Sequence, residues 1–487
     1  MNLSVTMKKY QAVGIVIMVS FILVLPQLIL KNMIIGSDVL FHFNRLYDTS
    51  QQIKGGNFQS FISMYGYQQS GRVVTPIYAQ ILSYVLGALL LICGNWFVFQ
   101  VVSNFCLFLL SGISMYALLK KMKIKQRTSV ELSLFFMTTY SISYWVIRQG
   151  FSSWAGALLP LCLLPVVDMI KENKYQPIRV ALSLTVMFQT HFLTSLFVLV
   201  FYSIAFMYQL FKNSHKLKLI RGLVISVVIF FLLTSNIWYA LWWLYGNNRI
   251  LPPFQNTAMF EQTITKASWY RLINPFILPL MILFLLFTLI TRFREMSDLN
   301  KYFSLLSLFF FFLSSNFVPW RFFSGLDISL IKVIQFPFRF FIPGTVCLIC
   351  SVGLTLSENL YRVKVKKFSI LVVACIIHSL FLYGDALKEW DNSKLFIQSG
   401  SHVVIHSDDV DEVKQSFYQK DLNKSLALVE KSTPDYLPVY KDSEKNHQLV
   451  VEWQGKENEE VIVPVIKYAR TIIIYNNHKQ KSNQPKC

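Results

Sequence analysis

The sequence is short of acid. Only 26 Asp and Glu stand against 46 Lys and Arg, a formal net charge of +20, and only ten of those acids precede Gly384. Charge of either sign is scarce as well, at 15% of residues against 54% hydrophobic, with a mean hydropathy of +0.45. That balance excludes a soluble enzyme of 487 residues. The surplus of base does not mark a nucleic-acid binder, because Lys and Arg fall in short clusters between apolar runs. There is no P-loop, GxSxG, HExxH or haem-type CxxCH, and no two-domain nucleotide fold, so energy for a reaction must arrive with an activated substrate. Cysteine is sparse too. Cys93, Cys106, Cys162, Cys347, Cys350 and Cys375 sit in or beside apolar runs, and only Cys487 lies apart. The lone CLIC falls inside a helical run, so these read as small core residues, with no disulfide framework and no metal cluster.

What the chain has is length of apolar run. Such runs recur from residue 11 to about residue 384, many reaching the roughly 20 residues that cross hydrocarbon. The opening MNLSVTMKKYQ resembles a signal peptide, but its apolar region is too long and no A-x-A site follows, so it reads as an uncleaved first helix. KKMKIKQR (120–127), KENKYQPIR (171–179), KNSHKLKLIR (212–221), RFREMSDLNK (292–301) and RVKVKK (362–367) are basic loops, which the positive-inside rule assigns to the cytoplasm. Placing all five inside requires that only one of 75–93 and 96–119 cross. The polar GYQQSGR, Pro76 and Gly87 suit an interfacial or re-entrant segment at 75–93.

The expected fold is therefore an all-α polytopic membrane protein. Eleven crossings fall near 11–33, 96–119, 128–147, 153–170, 178–191, 192–211, 222–244, 274–291, 302–318, 340–357 and 368–384, with the N-terminus in and the C-terminus out. Residues 1–384 form the transmembrane domain, with 34–95 its first outer loop. Residues 385–487 form a small extracytoplasmic α+β or β segment, with strands expected at VVEWQ, VIVPVI and TIIIYN. No internal repeat is evident.

On the outer face this domain carries four acids: Asp38, Asp48, Glu261 and Asp327. Asp38 opens GSDVLFHFNR (36–45) at the exit of the first crossing, and with His42 and Arg45 it follows i, i+4, i+7 spacing, one helix face. Two compatible readings stay open for Asp38: N-cap of a helix beginning at Val39, or a carboxylate base at interface depth. Leu40, Phe41, Phe43 and Leu46 are expected to face lipid. Arg suits a phosphate through its bidentate fork, and His can position an acceptor hydroxyl. Arg72, Arg148, Arg321 and Arg339 stand at outer helix ends, where cations either snorkel to headgroups or gather round a lipid phosphate. Pro337 is expected to hold Gln335 and Arg339 on irregular backbone. His191 in FQTHFLTS reads as a hairpin cap first and a catalyst second. Trp238, Trp242 and Trp243 read as an aromatic belt, then as a stacking surface for sugar. Glu131 and Asp168 lie near cytoplasmic helix ends, and the lack of acids at helix centres weighs against an ion-coupled transporter.

GSDVLFHFNR, the GN at 56–57 before YGY at 65–67, the TPIY of the interfacial segment, FQTHFLTS, IQFPFRFF and TPDYLPVY (433–440) together carry a resemblance over residues 1 to about 440. The chain resembles the bacterial YfhO-like membrane proteins, often labelled 6-pyruvoyl-tetrahydropterin-synthase-related, of the GT-C glycosyltransferase superfamily. The resemblance implies an enzyme of the bacterial cell membrane. It would take a sugar from a polyprenyl-phosphate carrier at the outer face and pass it to a cell-envelope acceptor. The acid of the first outer loop, here Asp38, would act as base or position the acceptor. The C-terminal segment is short for that family, and pterin chemistry has no zinc-type histidine cluster to support it.

The expectation is a metal-independent or weakly metal-assisted inverting transfer, with Asp38 and His42 at the reaction. Arg45, Arg72, Arg148, His191, Gln335 and Arg339 would bind substrate. No cofactor is implied, a divalent metal has no ligand cluster in the sequence, and the partners are the lipid-linked sugar, the envelope acceptor and the bilayer, not nucleic acid. The alternative is a flippase or exporter of lipid-linked saccharides, or a polymerase, and the flippase needs the cations but no base.

Overall fold

The computed structural model describes residues 3–250, 256–326, 328–361, 365–391, 410–431, 440–442, 448–452, 465–469, 471–475 and 478–480. Asp327, Cys487 and nearly all of TPDYLPVY lie outside the described residues. The described residues are mostly helical, with two short antiparallel strand pairs near the end of the chain. Among them seven helices are long and apolar enough to cross a membrane: Tyr10–Leu30, Trp96–Lys121, Gln126–Arg148, Ser152–Lys171, Phe192–Lys212, Pro337–Ser357 and Phe368–Asp391. Lys216–Leu233 and Ser235–Asn247 pass the same test only when taken together. Three other expected crossings, at 178–191, 274–291 and 302–318, fall on Pro177–Thr190, Leu278–Arg292 and Asp298–Ser314, of 14, 15 and 17 residues. Apolar side chains such as Ile29, Leu217, Ile290 and Phe381 are exposed on these helices. That is a surface for lipid, so the chain is a polytopic membrane protein.

The chain divides into two units. The first comprises residues 1–36, 100–233 and 253–392. At one end of it the basic loops are tied together by their few acids. Lys121 pairs with Asp168 and with Glu172 (3.2 Å), Arg179 also meets Asp168 (3.7 Å), and Lys212 meets Asp298 (3.0 Å). Ser297 donates to Glu358 at 2.5 Å, and the Arg292 guanidinium lies 5.8 Å from the Tyr361 ring. Four of the basic clusters, those at 120–127, 171–179, 212–221 and 292–301, are thus linked within the first unit.

Two expected spans are broken. Gln126–Met137 gives way to Tyr140–Arg148 at Thr138 and Thr139, and Ser152–Cys162 to Leu164–Lys171 at Leu163, where Pro165 lacks an N–H to continue the ladder.

The second unit comprises residues 37–99, 234–252 and 393–487. Its centre is the helix Val39–Gly55, packed on Gln80–Cys93. Leu40 and Phe41 are partly covered, but Phe43 and Leu46, expected to face lipid, are enclosed. Phe43 stacks on Trp96 with centroids 4.2 Å apart and meets Phe417 at 6.4 Å. The Trp96 indole donates to the Leu422 carbonyl at 3.0 Å, which ties the C-terminal helices Val410–Ser416 and Leu422–Lys431 to this core. The first loop therefore segregates with C-terminal residues. VVEWQ and TIIIYN yield Val450–Glu452 and Ile473–Tyr475, each paired with a neighbouring strand. In VIVPVI, residues 461–464 lie outside the described set and the last two are not strand.

Candidate functional site

The sequence-predicted residues fall in both units. In the second unit the site grows from Val39–Gly55. Asp38 occupies the N-cap position with φ −101° and ψ 4°, and its side chain makes no capping bond. The capping role is not realised. Asp38 is half-exposed, and its carbonyl accepts the His42 N–H at 3.1 Å. One turn on, the His42 ring is buried with Nδ1 3.5 Å from an Arg45 terminal nitrogen, so the spacing read from sequence does bring these two together.

Arg45 does not face a ligand surface. It has no exposed area, donates to the Tyr78 carbonyl and to Ser83 Oγ at 2.7 Å, and lies 4.7 Å from the Tyr78 ring. Burial lowers its pKa from the ordinary value, opposed by Tyr67, Tyr78 and Asp48. Its position makes it the tie between Val39–Gly55 and the start of Gln80–Cys93. Arg72 is exposed, with its guanidinium 5.3 Å from the Tyr67 ring.

Asp48, an outer acid given no role from sequence, is the best-built carboxylate of the unit. Its Oδ1 accepts the Tyr65 and Gly66 N–H groups at 2.8 and 3.1 Å, and Oδ2 accepts Gln52 Nε2 at 2.7 Å. Tyr67 N–H donates to Asn44 Oδ1 at 2.7 Å and its hydroxyl to the Phe41 carbonyl at 2.8 Å. Residues 36–45 and 65–67, two stretches that carry the resemblance, are thus knit through one helix. Asp48 is only 1% exposed, and burial pushes its pKa up to about 6 against the pull of its hydrogen bonds. Burial likewise raises the Tyr67 phenol. Trp242 is exposed while Trp243 meets Phe61 edge-on at 4.8 Å, so the tryptophans do not form one continuous face.

In the first unit the segment just before Asp38 is clamped. The Gln100 amide accepts from Ile34 N–H (2.9 Å) and donates to Ile34 O (2.7 Å). Gln149 Oε1 accepts the Gly36 N–H at 2.7 Å. A Cβ on Gly36 would lie 2.2 Å from Arg148 Cα, which is why glycine opens the motif. Arg148 itself is exposed and acts on the Tyr140 phenol. His191 is buried and caps Phe192–Lys212, its Nδ1 accepting the Thr194 N–H at 3.3 Å and lying 2.9 Å from Thr194 Oγ1. Gln335 ends Ser329–Ile334 with φ 55° and accepts Arg339 NH1 on Oε1 at 2.9 Å. The irregular backbone expected at Pro337 is a short 3-10 turn, Pro337–Phe340. Arg339 also donates to Ile334 O at 3.2 Å, and its charge reaches the His191 imidazole.

Sequence reading missed Arg271. It lies in Tyr270–Ile273, is 3% exposed, and sits among four rings: Phe338 (3.7 Å), Tyr144 (4.6 Å), Tyr140 (4.8 Å) and Tyr270 (5.5 Å to the centroids). Its Nε is buried without a hydrogen-bond partner, and among the described residues no carboxylate pairs with it. A Cβ on Gly150 would lie 2.0 Å from the Tyr144 ring, so that glycine sets one wall. The available signal was a single Arg in ASWYRL, a base amid aromatics between two apolar runs.

No protein-family model matches this chain, and neither does any curated protein sequence. Among the described residues no group of three or more His, Cys, Asp or Glu is placed to hold a metal ion.

Proposed function

We propose that the chain is a membrane glycosyltransferase of the GT-C arrangement, moving a sugar from a polyprenyl-phosphate carrier to a cell-envelope acceptor on the outer face of a bacterial membrane. The observation that carries this reading is Asp38: a half-exposed carboxylate at the helix N-cap position whose side chain does not cap, two residues after a backbone clamped at Gly36. An acid so placed suits general-base work better than helix stabilisation.

In this reading Asp38 takes the proton of an acceptor hydroxyl as that oxygen bonds to the anomeric carbon. The bond from that carbon to the carrier phosphate breaks, and the phosphate leaves with the electron pair. His42 positions the acceptor, with Arg45 holding its helix. Arg148 and Arg339 are the substrate-binding cations of the first unit and Arg72 that of the second; Gln335 fixes Arg339, and His191 caps the hairpin.

The eleven-crossing map with the N-terminus in and the C-terminus out belongs to the same proposal. It is supported by the ion pairs that link the basic loops to one another, Lys121 with Asp168 and Lys212 with Asp298; in this reading Pro177–Thr190, Leu278–Arg292 and Asp298–Ser314 run between loops of opposite sides.

The test is transfer of radiolabelled sugar from polyprenyl phosphate to envelope extract by reconstituted protein, with and without chelator. Asp38→Asn is expected to lose roughly 10² to 10⁴ in rate at unchanged expression. Transfer near wild type would remove the base from Asp38. Lipid movement without transfer by either protein would instead support the flippase.

A further inference from the structure

We propose that Arg271, with the rings around it and Arg148, forms a binding site for a phosphate group. A guanidinium keeps its charge at any working pH, and burying a charge is unfavourable unless something neutralises it. Arg271 is 3% exposed and has four aromatic contacts, but among the described residues it has no ion pair and its Nε has no acceptor. Ring faces attract the cation but accept none of the directed bonds of its planar fork.

The surroundings are constructed to hold that arrangement. Tyr140 N–H donates to Asn274 O (2.9 Å) and Phe338 N–H to Gln262 O (3.2 Å), which fix two wall residues against the segment that carries Arg271. Gly150 leaves room for the Tyr144 ring. With Phe338 only 3.7 Å from the guanidinium carbon, one face is covered, and an anion must arrive at the edge of the fork. A tetrahedral phosphate fits that edge bidentately. Arg148, which acts on Tyr140 and is exposed, supplies a second cation on the approach. Tyr140, Tyr144 and Tyr270 bring hydroxyl donors and apolar ring surface suited to a phosphate with a hydrocarbon tail. The identity of that lipid rests on the glycosyltransferase reading; the anion site does not.

The experiment is melting of the purified full-length protein in detergent, followed by intrinsic fluorescence. The additions are undecaprenyl phosphate, undecaprenol, inorganic phosphate and phosphatidylglycerol, tested on wild type, Arg271→Lys and Arg271→Met. The expected result is a rise of several degrees for wild type with undecaprenyl phosphate and none with undecaprenol. The rise is lost in Arg271→Met and partly kept in Arg271→Lys. Without ligand, Arg271→Met should melt no lower than wild type, because it removes an uncompensated charge.

A full rise with inorganic phosphate, or with phosphatidylglycerol alone, keeps the site and reassigns the source of its phosphate. No rise with any phosphate, or an equal rise in Arg271→Met, overturns the proposal. If Arg271→Met does not fold, the wild-type ligand series and Arg271→Lys decide. Sugar transfer measured on the same preparations separates the two readings. Transfer by wild type with no Arg271-dependent rise sinks the anion site and spares the glycosyltransferase, whereas a rise that depends on Arg271 without transfer by wild type does the reverse.

Discussion

At the scale of single residues, the informative group is a buried acid that titrates near neutrality. Asp48 is held by three hydrogen bonds, yet burial outweighs them and its pKa rises to about 6 from 3.8. The folded state therefore binds a proton more readily than the unfolded chain. Between about pH 4 and pH 6 the native form carries more protons, so stability falls as pH rises through that window and stays low above it. A shift of this size corresponds to about 3 kcal/mol, an upper estimate for a group held in one conformation. Wild-type protein is expected to melt higher at pH 5 than at pH 7.5 through this group. Asp48→Asn, which keeps an acceptor for Tyr65 and Gly66, should flatten that dependence and melt higher than wild type at pH 7.5. Thermal unfolding of both proteins across pH 4.5–8 checks it, and parallel curves would show that Asp48 stays charged at little cost.

The pairing of His42 with Arg45 was legible in the sequence, because helix periodicity alone puts i and i+3 together. The burial of the apolar face at Phe43 and Leu46 was not. Its covers, Trp96 and Phe417, come from positions far along the chain. No local pattern distinguishes a helix facing lipid from one facing such partners.

At the scale of elements, hydropathy located most helices and left their breaks unseen. Trp96–Lys121 and Phe192–Lys212 match the expected runs closely. The interruptions at Thr138 and Leu163 vanish in a window average, because the residues on both sides are equally apolar. The motif glycine was visible, but its reason is tertiary: the chain at Gly36 runs against the backbone of Ile147 and Arg148, with a built Cβ at 2.2 Å from Arg148 Cα. Gly36→Ala must displace one of these backbones, which costs about 1–3 kcal/mol as overpacking does elsewhere. Because Asp38 lies two residues on, transfer should fall by roughly 10-fold or more, since misplacement of a catalytic group by about 1 Å can cost 10²-fold. Gly14→Ala, where a Cβ would meet nothing within 4 Å, is the control and should leave both properties unchanged. A Gly36→Ala protein that melts and transfers like wild type would separate Asp38 from the clamp made by Gln100 and Gln149.

At the scale of the whole molecule, the question is how many times the chain crosses. Length and composition alone support seven helices, or eight with the bent pair. Charge asks for eleven crossings, because KENKYQPIR and KNSHKLKLIR can share a side only if Pro177–Thr190 and Phe192–Lys212 both traverse. A helix of 14 residues rises about 21 Å. That is short of a hydrocarbon core of about 30 Å, so the bilayer must thin there or the neighbouring helices must cover the mismatch. Exposed single cysteines in a cysteine-free background distinguish the two. Lys174→Cys, His215→Cys and Arg294→Cys should react with a membrane-impermeant maleimide only after cells are permeabilised, while Ser37→Cys, Lys266→Cys and Phe317→Cys should react in intact cells. Labelling of His215→Cys in intact cells would mean that Pro177–Thr190 enters and leaves by the same face. Every later loop would then change sides, Arg271 and its rings included, and the eleven-crossing map would fall.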